Sequence, residues 1–259
     1  RARQDGLDVS CDVYPYTAGS TQLLHIIPPE FLQGGTEAAM QRLADPAMRA
    51  QLRQRLATGT DFENIVQLVG WENIRMSTLI QPENKPYEGM SIQEAADLQG
   101  KDPLDCCCDM LVSENGAITM IDFITCEEDI ARIMQDDYCN IISDATYPTE
   151  GIPHPRLYGT FPRMISKYVM TDKVLTLTQA VRKMTAVPAD LLGLTGKGHL
   201  TVGADADINI FDPASLREVG TYAKPDQFAA GMEAVFVNGE LALSKDICTG
   251  VSAGTVLLR

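Results

Sequence analysis

The sequence predicts an α/β fold with a β-rich tail, and three observations carry that prediction. Short apolar runs alternate with capped helical segments from residue 1 to about 195, the pattern of βα units in a parallel sheet or barrel. From about 196 the pattern changes to short strands joined by tight turns, which reads as a small β-sandwich. Between the two, Asn140–Asp144 is an apolar run that ends on a carboxylate and opens into a loop rich in Pro and Gly. Parallel α/β folds present reactive groups in this way, at the carboxyl ends of their strands.

Taken in order, Leu7–Tyr14 alternates well enough for a strand and stops at Pro15, which cannot donate to a ladder. Glu37–Ala44 reads as a helix. Asp45 then caps a second helix, with Pro46 at its first position, running to about Leu56. Residues 64–80 carry apolar runs consistent with one or two strands. Ser91-Ile92-Gln93-Glu94 is a capping box for a helix ending near Gly100, and Asp102-Pro103 opens another to about Val112. Ala117–Ile124 reads as a strand. Thr125-Cys126-Glu127-Glu128 and Thr176-Leu177-Thr178-Gln179 are two further boxes, and Pro188 starts a short helix that stops at Gly193. In the tail, His199–Val202, Ile208–Phe211 and Ala234–Val237 read as strands, and Asn238-Gly239 is a tight-hairpin signal. Three or four βα units fit before residue 195, fewer than a closed eight-unit barrel holds. The chain opens Arg1-Ala2-Arg3 without Met, so the reading expects it to begin inside a larger fold.

The 259 residues carry a formal net charge of −14. That argues against nucleic acid and anionic membrane as partners, since both need a basic face. Seven Cys, at 11, 106, 107, 108, 126, 139 and 248, show no zinc-module spacing. Cys106-Cys107-Cys108 reads as small buried hydrophobes, and thiols in this number point to a reducing cytoplasm. No apolar run near 20 residues is present, so the chain reads as soluble.

Asp144 is the first candidate for chemistry: an acid/base or metal ligand, with His154, Arg156 and Arg163 following as cations for an anionic substrate. A solvated strand end with a structural Asp cap remains the alternative.

Four blocks resemble the N-acyl-D-amino-acid deacylases (D-aminoacylases) of the amidohydrolase superfamily. They are Asp12–Thr21 with Tyr14-Pro15-Tyr16; Ser143-Asp144 with His154–Arg163; Leu177–Pro188; and Gly203–Ile208 with Phe211-Asp212-Pro213 and Val237-Asn238-Gly239. The resemblance implies that residues 1–195 are the C-terminal part of a (β/α)₈ barrel with a helical insertion, and 196–259 a β-sandwich appendage. It further implies zinc-dependent (Zn2+) cleavage of the amide of small-molecule N-acyl-D-amino acids. Asp144 would be the general acid/base and a metal ligand, moving a proton from metal-bound water to the leaving amine. Tyr14, Ser20 and Arg156 would bind the substrate carboxylate, Arg156 as a planar fork. On the residues alone, Tyr14 and Ser20 read equally as turn residues and Arg156 as a surface ion pair. The family's metal-binding His residues have no counterpart here. Only His25, His154 and His199 occur, in no ligand spacing. His154 is expected to shape its loop, and His199 to lie on the surface. The other zinc ligands are therefore expected outside this segment, and residues 1–259 alone are expected to be inactive. A dihydroorotase- or hydantoinase-like cyclic amidase and a non-catalytic carboxylate-binding domain are the competing readings.

Overall fold

The computed structural model describes residues 2–148 and 150–257. They form two compact units. One comprises Arg1–Pro15, Glu127–Thr146 and Pro155–Arg259; the other comprises Tyr16–Cys126 and Tyr147–His154. The strands, in chain order, are β1 (Cys11–Val13), β2 (Gly19–Gln22), β3 (Ile74–Thr78), β4 (Thr119–Asp122), β5 (Cys139–Ile141), β6 (Ile208–Phe211), β7 (Met232–Val237), β8 (Glu240–Ser244) and β9 (Ile247–Cys248).

In the first unit β1 and β5 pair in parallel, Cys11 opposite Cys139 and Val13 opposite Ile141. β5 is buried throughout, and Ile141 packs with Ile130, Met134, Met164, Tyr168 and Leu216 in one apolar cluster. Burying a side chain of this size contributes about 1.5–3 kcal/mol, so the cluster fixes the strand firmly. The helix Glu127–Met134 lies on this core through Ile130 and Met134. The helix Leu177–Met184 starts at the expected box: Thr176 accepts from the Gln179 N–H and Gln179 accepts from the Thr176 N–H. The next helix, Ala186–Leu192, ends at Gly193 in the left-handed conformation with φ 67°. Pro188 is thus its third residue, not its first.

Residues 156–163, read from sequence as loop, are helical. Arg156–Arg163 is an α-helix, and Met164–Thr171 continues it with π turns. Pro155 stands at the start, where a missing N–H costs nothing. Pro162 has no N–H to offer the Tyr158 carbonyl, and regular α-helix gives way to the wider turn immediately after.

The tail forms one antiparallel sheet, β6-β7-β8-β9. Asn238 and Gly239, both at positive φ, make its two-residue turn between Val237 and Glu240. This is the primed geometry that matches strand twist. One expectation needs correction: His199–Val202 is not a strand but irregular chain and turn.

In the second unit β2, β4 and β3 form an antiparallel sheet in that order, covered by helices. Asp45 accepts the Ala47 N–H at 2.8 Å and Pro46 begins the helix Pro46–Thr58. Asp102 accepts from Leu104 at 2.9 Å at the start of Pro103–Ser113. At Ile92–Gln99 the Ser91 and Glu94 side chains satisfy each other's backbone N–H groups, and Gly100 closes the helix at φ 63°. The Ser91 N–H holds the Glu94 carboxyl below its ordinary pKa. This contribution is therefore complete above the unfolded carboxylate pKa and is lost as pH falls through the folded one. Of residues 64–80, read as one or two strands around Trp71 and Ile74–Ile80, Ile74–Thr78 is a strand and Ile65–Val69 is a short helix. The Asn64 side chain accepts the Gln67 N–H, and Gly70 ends the helix at φ 78°; this capping outweighs the β-branched residues.

Cys106, Cys107 and Cys108 are fully buried on the Pro103–Ser113 helix. Burial pushes the Cys106 thiol up to about 11 and Cys108 to about 12, with Cys107 also raised. Since the thiolate is the reactive form, alkylation of the native protein at pH 8 is expected to reach the exposed Cys11, Cys126 and Cys248 and to spare the triplet. Peptide mapping checks this; rapid labelling of the triplet would contradict its burial.

Candidate active site

The site is built where the two parallel strands end. β1 delivers Tyr14 directly after Val13. β5 ends at Ile141, and the Ile142 N–H donates to the Val13 carbonyl at 3.1 Å, so the strands stay together up to their loops. Two residues later Asp144 adopts φ 47°, a left-handed conformation that Asp tolerates better than most side chains.

Arg156 is the first residue of its helix. Its Nη2 lies 3.0 Å from Asp144 Oδ2. The guanidinium carbon also lies 4.7 Å from the centre of the Tyr14 ring. A guanidinium over a desolvated aromatic face is attracted by about 2 kcal/mol, which helps offset the burial of this cation. Burial is sharply unequal across the pair, since the Arg156 side chain is 3% exposed and that of Asp144 57%. A fixed, shielded cation beside a solvent-facing carboxylate can recognise an anion and exchange a proton with water in the same place.

Tyr14, Asp144 and Arg156 are thus brought together in one unit. Ser20 belongs to the other unit, on β2 opposite Ile121. His154 is buried there, with Nε2 3.0 Å from the Ala18 carbonyl and its ring edge-on to Tyr16 at 5.0 Å. That is the loop-shaping role expected of it. His25 contacts Thr21 and the exposed His199 contacts Asp190. Among the described residues no group of three or more His, Cys, Asp and Glu side chains could hold a metal ion. A catalytic zinc takes about three protein ligands, so these residues do not by themselves fit one.

A further residue was not singled out beyond its charge. Arg163 ends the helix that Arg156 begins, and its guanidinium is shared among three acceptors. Nε donates to the Pro15 carbonyl at 2.5 Å, Nη1 lies 2.9 Å from Glu218, and Nη2 lies 3.2 Å from Glu127. Glu127 in turn accepts the Tyr168 hydroxyl at 2.5 Å. The seven-residue spacing from Arg156 would have flagged it had residues 156–163 been read as helix.

No helix among the described residues is long and apolar enough to cross a membrane. The model of the family described as "Amidohydrolase family" matches residues 88–242. D-aminoacylase of Alcaligenes xylosoxydans xylosoxydans is 33% identical over 100% of this chain and 43% of its own length. N-acyl-D-glutamate deacylase of the same organism is 32% identical over 92% of this chain and 39% of its own length. A crystal structure of N-acyl-D-glutamate deacylase from Bordetella bronchiseptica, complexed with zinc and a phosphonate inhibitor that mimics the tetrahedral intermediate, superimposes with a TM-score of 0.70. The identity is 28%, over 93% of this chain and 41% of that one. The chain therefore spans less than half the length of the relatives it matches. With the family match covering more than half of its residues, this chain belongs to the amidohydrolase family.

Proposed function

We propose that this chain is the C-terminal part of a metal-dependent hydrolase that cleaves the amide of N-acyl-D-amino acids. One observation carries the reading: an exposed carboxylate and a buried guanidinium, Asp144 and Arg156, meet at 3.0 Å beyond the carboxyl ends of two parallel strands. The likeness to D-aminoacylase and N-acyl-D-glutamate deacylase over nearly all of the chain supports it.

Arg156 would bind the substrate's α-carboxylate. A guanidinium has five N–H donors in a rigid fork, so one edge can stay on Asp144 while another grips the ligand. Tyr14 would support the cation from beneath; Ser20, which the family resemblance also implies in carboxylate binding, belongs to the other unit. Asp144 would hold and return the proton during amide cleavage, a role its exposure to water suits. A divalent metal, zinc in the proposed enzyme, would supply the activated water, with Asp144 as one ligand. The remaining ligands would come from parts of the fold with no counterpart in these residues.

In architecture, residues 1–195 would form part of a (β/α)₈ barrel with a helical insertion, and 196–259 part of a β-sandwich. The abundance of thiols favours the cytoplasm. A cyclic amidase is less well supported, since both curated deacylases match across nearly the whole chain.

The test is a panel of N-acetyl-D-amino acids with their L-enantiomers, run on the intact protein with zinc. Turnover confined to the D-series is expected. Hydrolysis of dihydroorotate or a hydantoin instead would overturn the reading.

A further inference from the structure

Arg156 and Arg163 stand at the two ends of one α-helix. Seven residues are almost two full turns, so the two side chains leave the same face about 10 Å apart along the axis. The first faces the ligand position proposed above. The second grips the Pro15 carbonyl, Glu218 and Glu127. Pro15 directly follows Tyr14, and it is the Tyr14 ring against which the Arg156 guanidinium lies.

We propose that Arg163 is a positioning residue for the carboxylate clamp, holding the Tyr14 turn against the helix so that Tyr14 and Arg156 stay stacked. The proposal rests on Arg156 being the anion-binding group. Its physical basis is the number and direction of the contacts. Three acceptors lie around one planar group, which a guanidinium matches and a lysine ammonium, a single point charge, does not. Glu218 is 13% exposed and Arg163 21%, so solvent screens this pair less than it would a surface pair. Glu127 is itself held by the Tyr168 hydroxyl and lies 3.7 Å from Lys167. These two residues belong to the π turns that follow the helix, so the carboxylate that receives Arg163 is fixed on both sides.

Arg163→Met in the intact protein tests the proposal. For an N-acetyl-D-amino acid substrate, KM is expected to rise about tenfold, the size of one lost charge-assisted hydrogen bond at the clamp, with kcat little changed. KM for the matching α-carboxamide should not move, and Arg163→Lys should restore only part of the loss. Acetate, titrated calorimetrically as a bare carboxylate probe, should bind the variant about tenfold more weakly by the same reasoning. A residue that merely stabilises the unit would lower Tm and leave both KM and acetate binding alone; that result overturns the proposal. Should Arg163→Met fail to fold, Glu218→Gln keeps the side-chain volume, removes one charge and should raise KM and weaken acetate in the same direction. Unchanged values there would also overturn the proposal. Wild-type protein that binds acetate but hydrolyses no N-acyl-D-amino acid would overturn the deacylase reading and leave Arg163 to be judged on acetate alone. Wild-type protein that does not bind acetate would overturn both.

Discussion

Asp144→Asn in the intact protein is expected to lower kcat on N-acyl-D-amino acids by about 10²–10⁴-fold, the range over which a positioned acid/base acts. Asparagine is the informative replacement. It fills the same space and tolerates the left-handed backbone that residue 144 adopts at φ 47°, so the loop keeps its course while the proton-accepting charge disappears. Alanine should lose turnover at least as severely, with an added backbone cost of about 1 kcal/mol at this conformation. The side chain is 57% exposed, so neither change opens a cavity, and cooperative unfolding should be retained. Steady-state kinetics alongside thermal denaturation separates the two effects. If kcat is unchanged in a folded Asp144→Asn protein, the acid/base assignment is wrong.

Arg156→Ala should act on a different parameter. Removing a buried fork from the α-carboxylate is expected to cost about 100-fold in kcat/KM, corresponding to the ~3 kcal/mol upper range of a hydrogen bond to a charged group. Most of the loss should appear in KM. The carboxamide analogue, which offers no anion, should lose far less. Lysine at 156 should recover part of the affinity, as it keeps the charge and loses the planar geometry. An equal loss on acid and amide would place Arg156 outside substrate recognition. Some loss of stability is also expected, because the side chain is 3% exposed and packs on Tyr14.

What could be read from the sequence followed from how local the cause is. Asp45, Ser91, Asp102 and Thr176 each accept an N–H two or three residues away. Such contacts can be read from short spacing, and each of these helix starts was. The Asn238-Gly239 turn was legible for the same reason. Ile65–Val69 misled because its residues favour strands, while the Asn64 cap and Gly70 that decide it are single residues at its ends. The helix from Arg156 was hidden by four prolines between 148 and 162, although one sits at its start and another where regular turns cease. At the site, residue types announced Asp144 and Arg156, and the family blocks named Tyr14. Their meeting could not be read: it depends on β1 and β5 lying side by side although 125 residues separate Val13 from Cys139. Arg163 was named only as a cation, and its contacts could not be read for the same reason, since its partners at 15, 127 and 218 lie far apart in the chain.

Pro15 and Glu127 have one more property in common. They are the last residue before, and the first after, the excursion of the chain through residues 16–126, and Arg163 fastens both. Closing a flexible excursion of roughly 110 residues costs about 4 kcal/mol of chain entropy relative to a one-residue link. Arg163 joins the two feet of that excursion directly, so the chain on either side of it is tied together by a contact within the unit that carries Tyr14 and Asp144.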